Sequence, residues 1–165
     1  AMISYAVGLL FLVSFNVWAG EQFISGKWKK LPKVLLCDNS SYTSGSVESA
    51  FNYWKEKSFD YDFIITERGS IKCPKEHDAF LDGYIIVRSG PVKNDKTLGY
   101  TRRKATGYDG TSISAAFIII PNENVGKPNL LEHEVGHAFG IGHAEIIGHI
   151  MNSDYGLIGT KFWIP

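Results

Sequence analysis

A chain of 165 residues has room for one hydrophobic core and one domain. Its 17 basic and 17 acidic residues cancel, and the nearest thing to a basic tract is Lys27, Lys29 and Lys30, which argues against a nucleic-acid partner. At 44% hydrophobic and 13% aromatic residues the chain carries enough core-forming material to exclude a disordered polymer.

The first stretch is set apart from the rest. Ile3 to Trp18 is nearly all apolar, interrupted only by Ser4, Tyr5, Gly8, Ser14 and Asn16. About 16 residues is short of the ~20 that span a membrane, but it suits the hydrophobic region of a signal peptide. Val17 and Ala19 supply small residues at −3 and −1 of a cleavage site before Gly20. Residues 1–19 therefore read as a signal peptide or N-terminal apolar segment, and the product as secreted or extracytoplasmic, without stable membrane association after cleavage. No Lys or Arg precedes the run, which leaves a buried helix or an uncleaved anchor as the alternative. Residues 20–32 are polar around Gly26 and read as a lead-in linker; residues 33–165 form the domain.

Lys33 to Cys37, a short apolar run after Pro32, predicts the first strand. Val47, Ala50, Phe51 and Trp54 then recur at helical spacing, with Glu48, Asn52, Lys55 and Glu56 on the other faces, so an amphipathic helix follows. Asp62 to Thr66 and Gly83 to Arg88 are rich in Ile, Val, Phe and Tyr and predict two more strands. Leu98 to Arg102 is shorter and more polar, as a sheet edge tolerates. Ser112 to Ile120 ends in the continuous apolar run Ala115 to Ile120, which Pro121 stops, and reads as a buried strand. Strand, helix, four strands and a last helix predict an α/β (α+β) layer with a mixed sheet. Cys37 and Cys73 fit one disulfide in an exported protein, closing a loop of about 36 residues; two free buried thiols are the alternative in a reducing compartment.

The last helix carries the chemistry. Asn129 is placed to cap it, with Glu132 three residues on to complete a capping box and Pro128 just outside. His133 and His137 are four apart and share one helix face, which makes half of a tetrahedral zinc site. Gly140 suits the position after the helix end, where a positive φ is wanted, and lets the chain turn to bring back His143 as a third ligand. The fourth position stays open, as in catalytic sites. Glu134, beside the first ligand, is the natural general base for a zinc-activated water and can then protonate a leaving amine. His149 reads as a solvated loop residue.

The string His133-Glu134-Val135-Gly136-His137-Ala138-Phe139-Gly140-Ile141-Gly142-His143, with Met151 eight residues later, resembles the metzincin signature HExxHxxGxxH and its Met-turn. The spacing to Met151 is similar to that of the matrixin branch. On that resemblance Tyr155 belongs to a wall of the S1′ pocket, and Ser153 stands where astacin- and serralysin-like members carry a zinc-touching tyrosine. Leu98-Gly99-Tyr100-Thr101, Asp109-Gly110 and the strand through Ile120 look like the matrixin order of edge strand, loop and buried strand. Leu98, Gly99 and Tyr100 would then bind extended substrate as an added strand. The resemblance covers roughly Lys33 to Tyr155, and only His133 to Met151 is highly specific. It implies a mostly parallel five-stranded sheet with an antiparallel edge strand, a backing helix and an active-site helix. It also implies a monomeric Zn2+ endopeptidase acting on peptides or proteins.

The chain departs from matrixins at Ala144, in its 14 residues after Met151, and in lacking a cysteine switch and Asp- and Gly-rich ion-binding loops. Only the catalytic zinc is therefore expected, and Phe162, Trp163 and Ile164 either close the core or pack on a partner. Two other readings remain. A YbeY-like zinc ribonuclease spaces its histidines as HxxxHxxxxxH but lacks a glutamate after the first; a non-catalytic zinc-binding interaction protein would have lost the base.

Overall fold

The computed structural model describes residues 23–165, so the signal-peptide expectation for residues 1–19 lies outside the described residues. Six strands and two α-helices follow one another as β1 (Lys27–Trp28), β2 (Lys33–Leu36), α1 (Ser44–Lys55), β3 (Ile64–Thr66), β4 (Tyr84–Arg88), β5 (Tyr100–Thr106), β6 (Ser112–Ile119) and α2 (Leu130–Ala138). The expected mixed α/β class is what forms.

The eight-residue β6 organises the sheet, and Ala115 to Ile119 along it are fully buried. One edge of β6 takes β5 antiparallel, from Tyr100 opposite Ile119 to Thr106 opposite Ser112, with an irregularity at Lys104/Ala105. The other edge takes β4 in parallel over Ala116 to Ile119 and the short β1 in parallel at Ser112 and Ile113. Beyond β4 come β2 and then β3, both parallel. The edge strand expected to end at Arg102 runs on to Thr106, and β1 adds a sixth strand to the expected five.

Parallel strands need cover on both faces. Alternation along β2 and β4 accordingly sends Val34, Leu36, Ile85 and Val87 to one side and Leu35, Cys37 and Ile86 to the other. The first side packs on both helices. α1 is capped by Thr43, whose side chain accepts from the Ser46 backbone N–H at 3.1 Å, and it buries Val47, Ala50, Phe51 and Trp54. The indole of Trp54 donates to the Glu132 carbonyl at 2.6 Å and so ties α1 to α2. The second side is covered by the loops after β3, fastened by a Cys37–Cys73 disulfide with Cα atoms 6.0 Å apart.

The structure corrects two expectations and bears on a third, which the sequence leaves open. Within the expected lead-in linker 20–32, the described residues 23–32 are not bare linker: Phe23 is 3% exposed, Ile24 bridges to Ile141, and β1 joins the sheet. Asn129 does not cap α2 through its side chain. Its backbone is left-handed at φ 63°, whereas a capping side chain is presented from an extended backbone, so no capping box forms. The C-terminal residues divide, with Phe162 packed on the core and Trp163 and Ile164 partly exposed.

Among the described residues no helix is long and apolar enough to cross a membrane.

Candidate metal centre

α2 presents His133 and His137 one turn apart, and its end is built to return the chain. Gly140 has φ 100°, its N–H donates to the His137 carbonyl at 3.0 Å, and the Ile141 N–H donates to the Gly136 carbonyl at 3.0 Å. This is a Schellman motif with glycine at the left-handed position. No side chain fits there in any case, because a Cβ would collide with the Gly26 carbonyl. The reversal brings His143 back beside the helix.

The Nε2 atom of His137 lies 3.1 Å from Nε2 of His133 and 3.1 Å from Nε2 of His143. His133 Nδ1–H donates to the Ile150 carbonyl at 2.8 Å and His137 Nδ1–H to the Ile141 carbonyl at 2.7 Å. A carbonyl can only accept, so the proton of each neutral ring sits on Nδ1 and the Nε2 lone pairs face the shared point. Lone pairs this close repel unless a cation lies between them. A tetrahedral ion bound at ~2.0–2.1 Å separates its nitrogen ligands by about 3.3 Å, near the spacing observed. The three histidines therefore form a set that can hold a metal ion.

Burial also favours the ligating protonation state. It holds His133 down to about 4 and His137 down to about 3, with neighbouring imidazoles adding to the effect at His137, and it lowers His143 as well. All three rings are neutral at pH 7. Glu134 is 5% exposed, and burial pushes its carboxyl up to about 7 against the opposing hydrogen bond from Thr101. Thr101 Oγ1 donates to Glu134 Oε2 at 2.6 Å and also lies 3.0 Å from the Glu134 carbonyl.

Met151 is fully buried and packs against α2 at Gly136, where a Cβ would stand 2.6 Å from both Met151 Sδ and the Trp54 ring. The Met151 carbonyl accepts from the Ala144 N–H at 2.9 Å, which anchors the residue after the third histidine. A cleft of about 780 Å³ opens over the site. Leu98, Gly99 and Tyr100 line one part of it, Ser153, Tyr155 and Ile158 another, and His133, Glu134, His137 and His143 are shared with it. Tyr155 also donates its hydroxyl to the Pro128 carbonyl at 2.7 Å, so that wall is fastened to the start of α2.

The residues expected at the site are thus together, and Cys37 and Cys73, expected as a disulfide, form it on the other face of the sheet. His149 corrects the reading of a solvated loop residue. It is fully buried, accepts the Met151 N–H on Nδ1 at 3.0 Å and donates from Nε2 to the Trp163 carbonyl at 2.8 Å. Neither nitrogen is free to ligate. Thr101 and Arg103 carried no assigned role in the sequence. Their one signal is a spacing of two along β5, which puts both on the face toward α2. Arg103 donates to the His137 carbonyl at 2.8 Å and to Ser25 Oγ at 2.8 Å.

No model of a known protein family matches the chain, and no curated protein matches it significantly.

Proposed function

We propose that this protein is a zinc-dependent endopeptidase of the metzincin type, closest to a minimal matrixin-like catalytic domain. The observation that carries the reading is the convergence of three imidazole Nε2 atoms within 3.1 Å steps beside a buried glutamate, in a cleft bordered by the edge strand. Zinc held by His133, His137 and His143 would polarise a carbonyl and bring the pKa of water down towards ~7.

The chain's own groups supply the rest. Glu134, with a carboxyl near 7, suits a group that takes a proton during attack and returns it to the leaving amine. The outer edge of β5 offers unpaired backbone to an extended peptide, which a strand-adding substrate requires. Tyr155 and Ile158 give the cleft an apolar wall where a substrate side chain can sit. The Cys37–Cys73 bridge supports an oxidising, extracytoplasmic compartment. A ribonuclease of the YbeY-like kind has no counterpart for Glu134, and a purely structural zinc site gives no reason to bury one there.

The test is cleavage of a peptide library by wild type and Glu134→Gln, with zinc measured on both by mass spectrometry. We expect both to carry one zinc and the variant to lose about 10²–10⁴-fold in kcat/KM, the range for removing a general base. Wild-type protein that holds zinc and cuts no peptide refutes the proposal.

A further inference from the structure

Glu134 is a long side chain, and a general base acts only if its carboxylate is aimed. Among the described residues one group fixes it. Oε2 receives its hydrogen bond from Thr101 Oγ1 at 2.6 Å, the length of a charge-assisted O–H···O bond. The same hydroxyl lies 3.0 Å from the Glu134 carbonyl, so it spans the carboxylate and the backbone that carries it. Oε1 has no hydrogen bond and is left to the cleft that Glu134 helps line.

The clamp is itself held. Thr101 pairs across β5 and β6 with Ile118, which is fully buried, and its branched Cβ restricts the rotamer of the hydroxyl. Two residues along, Arg103 grips the His137 carbonyl. The inner face of β5 thus holds α2 at Glu134 and at His137, one helical turn apart.

We infer that Thr101 is the positioning residue for Glu134: its hydroxyl sets which carboxylate oxygen faces the cleft, and it ties that orientation to the strand along which a peptide would pair. The inference rests on the hydrolytic reading for its consequence in turnover, but not for the contact itself. Thr101 faces α2 and not the outer edge of the sheet, so its loss should act on turnover more than on substrate binding.

The experiment compares Thr101→Val, which keeps the branched shape and loses the hydroxyl, with Thr101→Ser, which keeps the hydroxyl. In the zinc-loaded full chain, Thr101→Val should lower kcat by about ten- to a hundredfold, the scale of a misaimed catalytic group, with KM within about twofold. Thr101→Ser should restore kcat to within about threefold of wild type. Zinc affinity by chelator competition should be the same in all three. A readout free of activity is the 13C signal of the Glu134 carboxyl in metal-free protein, which should move in Thr101→Val and stay in Thr101→Ser. If Thr101→Val does not fold, Thr101→Ala takes its place. Wild type that cleaves no peptide sinks the peptidase reading, while the carboxyl signal still decides whether Thr101 sets Glu134. Unchanged kcat in Thr101→Val, equal impairment in Thr101→Ser, or a carboxyl signal indifferent to the hydroxyl overturns the inference.

Discussion

Single ionisable side chains at the site leave a mark on the stability of the metal-free protein. His133 and His137 stay neutral in the fold down to about 4 and 3, but take protons near 6.5 when unfolded. Glu134 acts in the opposite sense: it keeps its proton in the fold up to about 7 and loses it above 4.5 when unfolded. Between 4.5 and 6.5 the unfolded chain holds two protons on the histidines, and the folded chain holds one on Glu134. Unfolding therefore takes up at least about one proton net, His143 adding in the same sense, and stability should fall by at least roughly 1 kcal/mol per pH unit on acidification through that window. Above 6.5 the histidine contribution is fully present. Urea titrations in chelator at pH 6.5 and pH 5 measure this. A flat or rising stability on going to pH 5 would mean that the histidines are not held neutral by burial.

At the scale of elements, α2 is finished by a segment far away in sequence. The last turn of a helix leaves carbonyls without helical partners. Here Trp28 Nε1–H donates to the Ala138 carbonyl at 2.8 Å, the Ser25 N–H to the Gly140 carbonyl at 2.8 Å, and Gly142 N–H returns a bond to the Phe23 carbonyl at 2.6 Å. These bonds bracket the turn that delivers His143. Trp28→Phe keeps an aromatic ring and removes the indole donor, which should cost about 1 kcal/mol of stability. It should also weaken metal binding by about tenfold, as loss of a group that orients ligands does. Chelator competition reads the second effect, and affinity equal to wild type would separate this strap from the site.

The strap also shows where sequence reading reached its limit. Strands β2 to β6 and α2 are legible because burial writes itself locally: Ala115 to Ile120 is one apolar run, and His133 and His137 need only the helical repeat. Phe23, Ile24 and Trp28 sit among lysines and glycine with no period, and their partners lie more than a hundred residues on. His149 reads as solvated because its cover comes from outside its own loop, from Trp163, Phe162 and the distant Phe23. Thr101 reads as an ordinary edge-strand residue until α2 is laid against it. Asn129 failed as a cap because the residue types that cap helices are also those that tolerate a left-handed backbone.

In the whole molecule, the sheet separates two jobs. One face carries the helices and the three histidines that can hold a metal ion; the other carries Leu35, Ile86, Phe117 and the bridge between Cys37 and Cys73. The bridge closes a separation of 36 residues, so replacing both cysteines by serine should cost ~3–4 kcal/mol on the chain-entropy model. Because the bridge and the histidines face opposite sides of the sheet, metal affinity of the folded variant should match wild type. A lower thermal midpoint with unchanged chelator competition is the expected pair of results; a parallel loss of affinity would show that the two faces communicate.

The strap at Phe23 to Trp28 makes the site depend on chain segments far to either side of it. The turn before His143 is completed by residues synthesised more than a hundred positions earlier, and the neighbouring His149 loop waits for Lys161 and Trp163. Contacts of such separation are slow to form, because the loop must be closed before they are gained. A chain cut before Lys161, even with all three histidines present, lacks the partners of Ile150 and His149 and so part of the support around the site. The convergence of the three histidines is therefore a property of the whole fold and not of the helix that carries two of them.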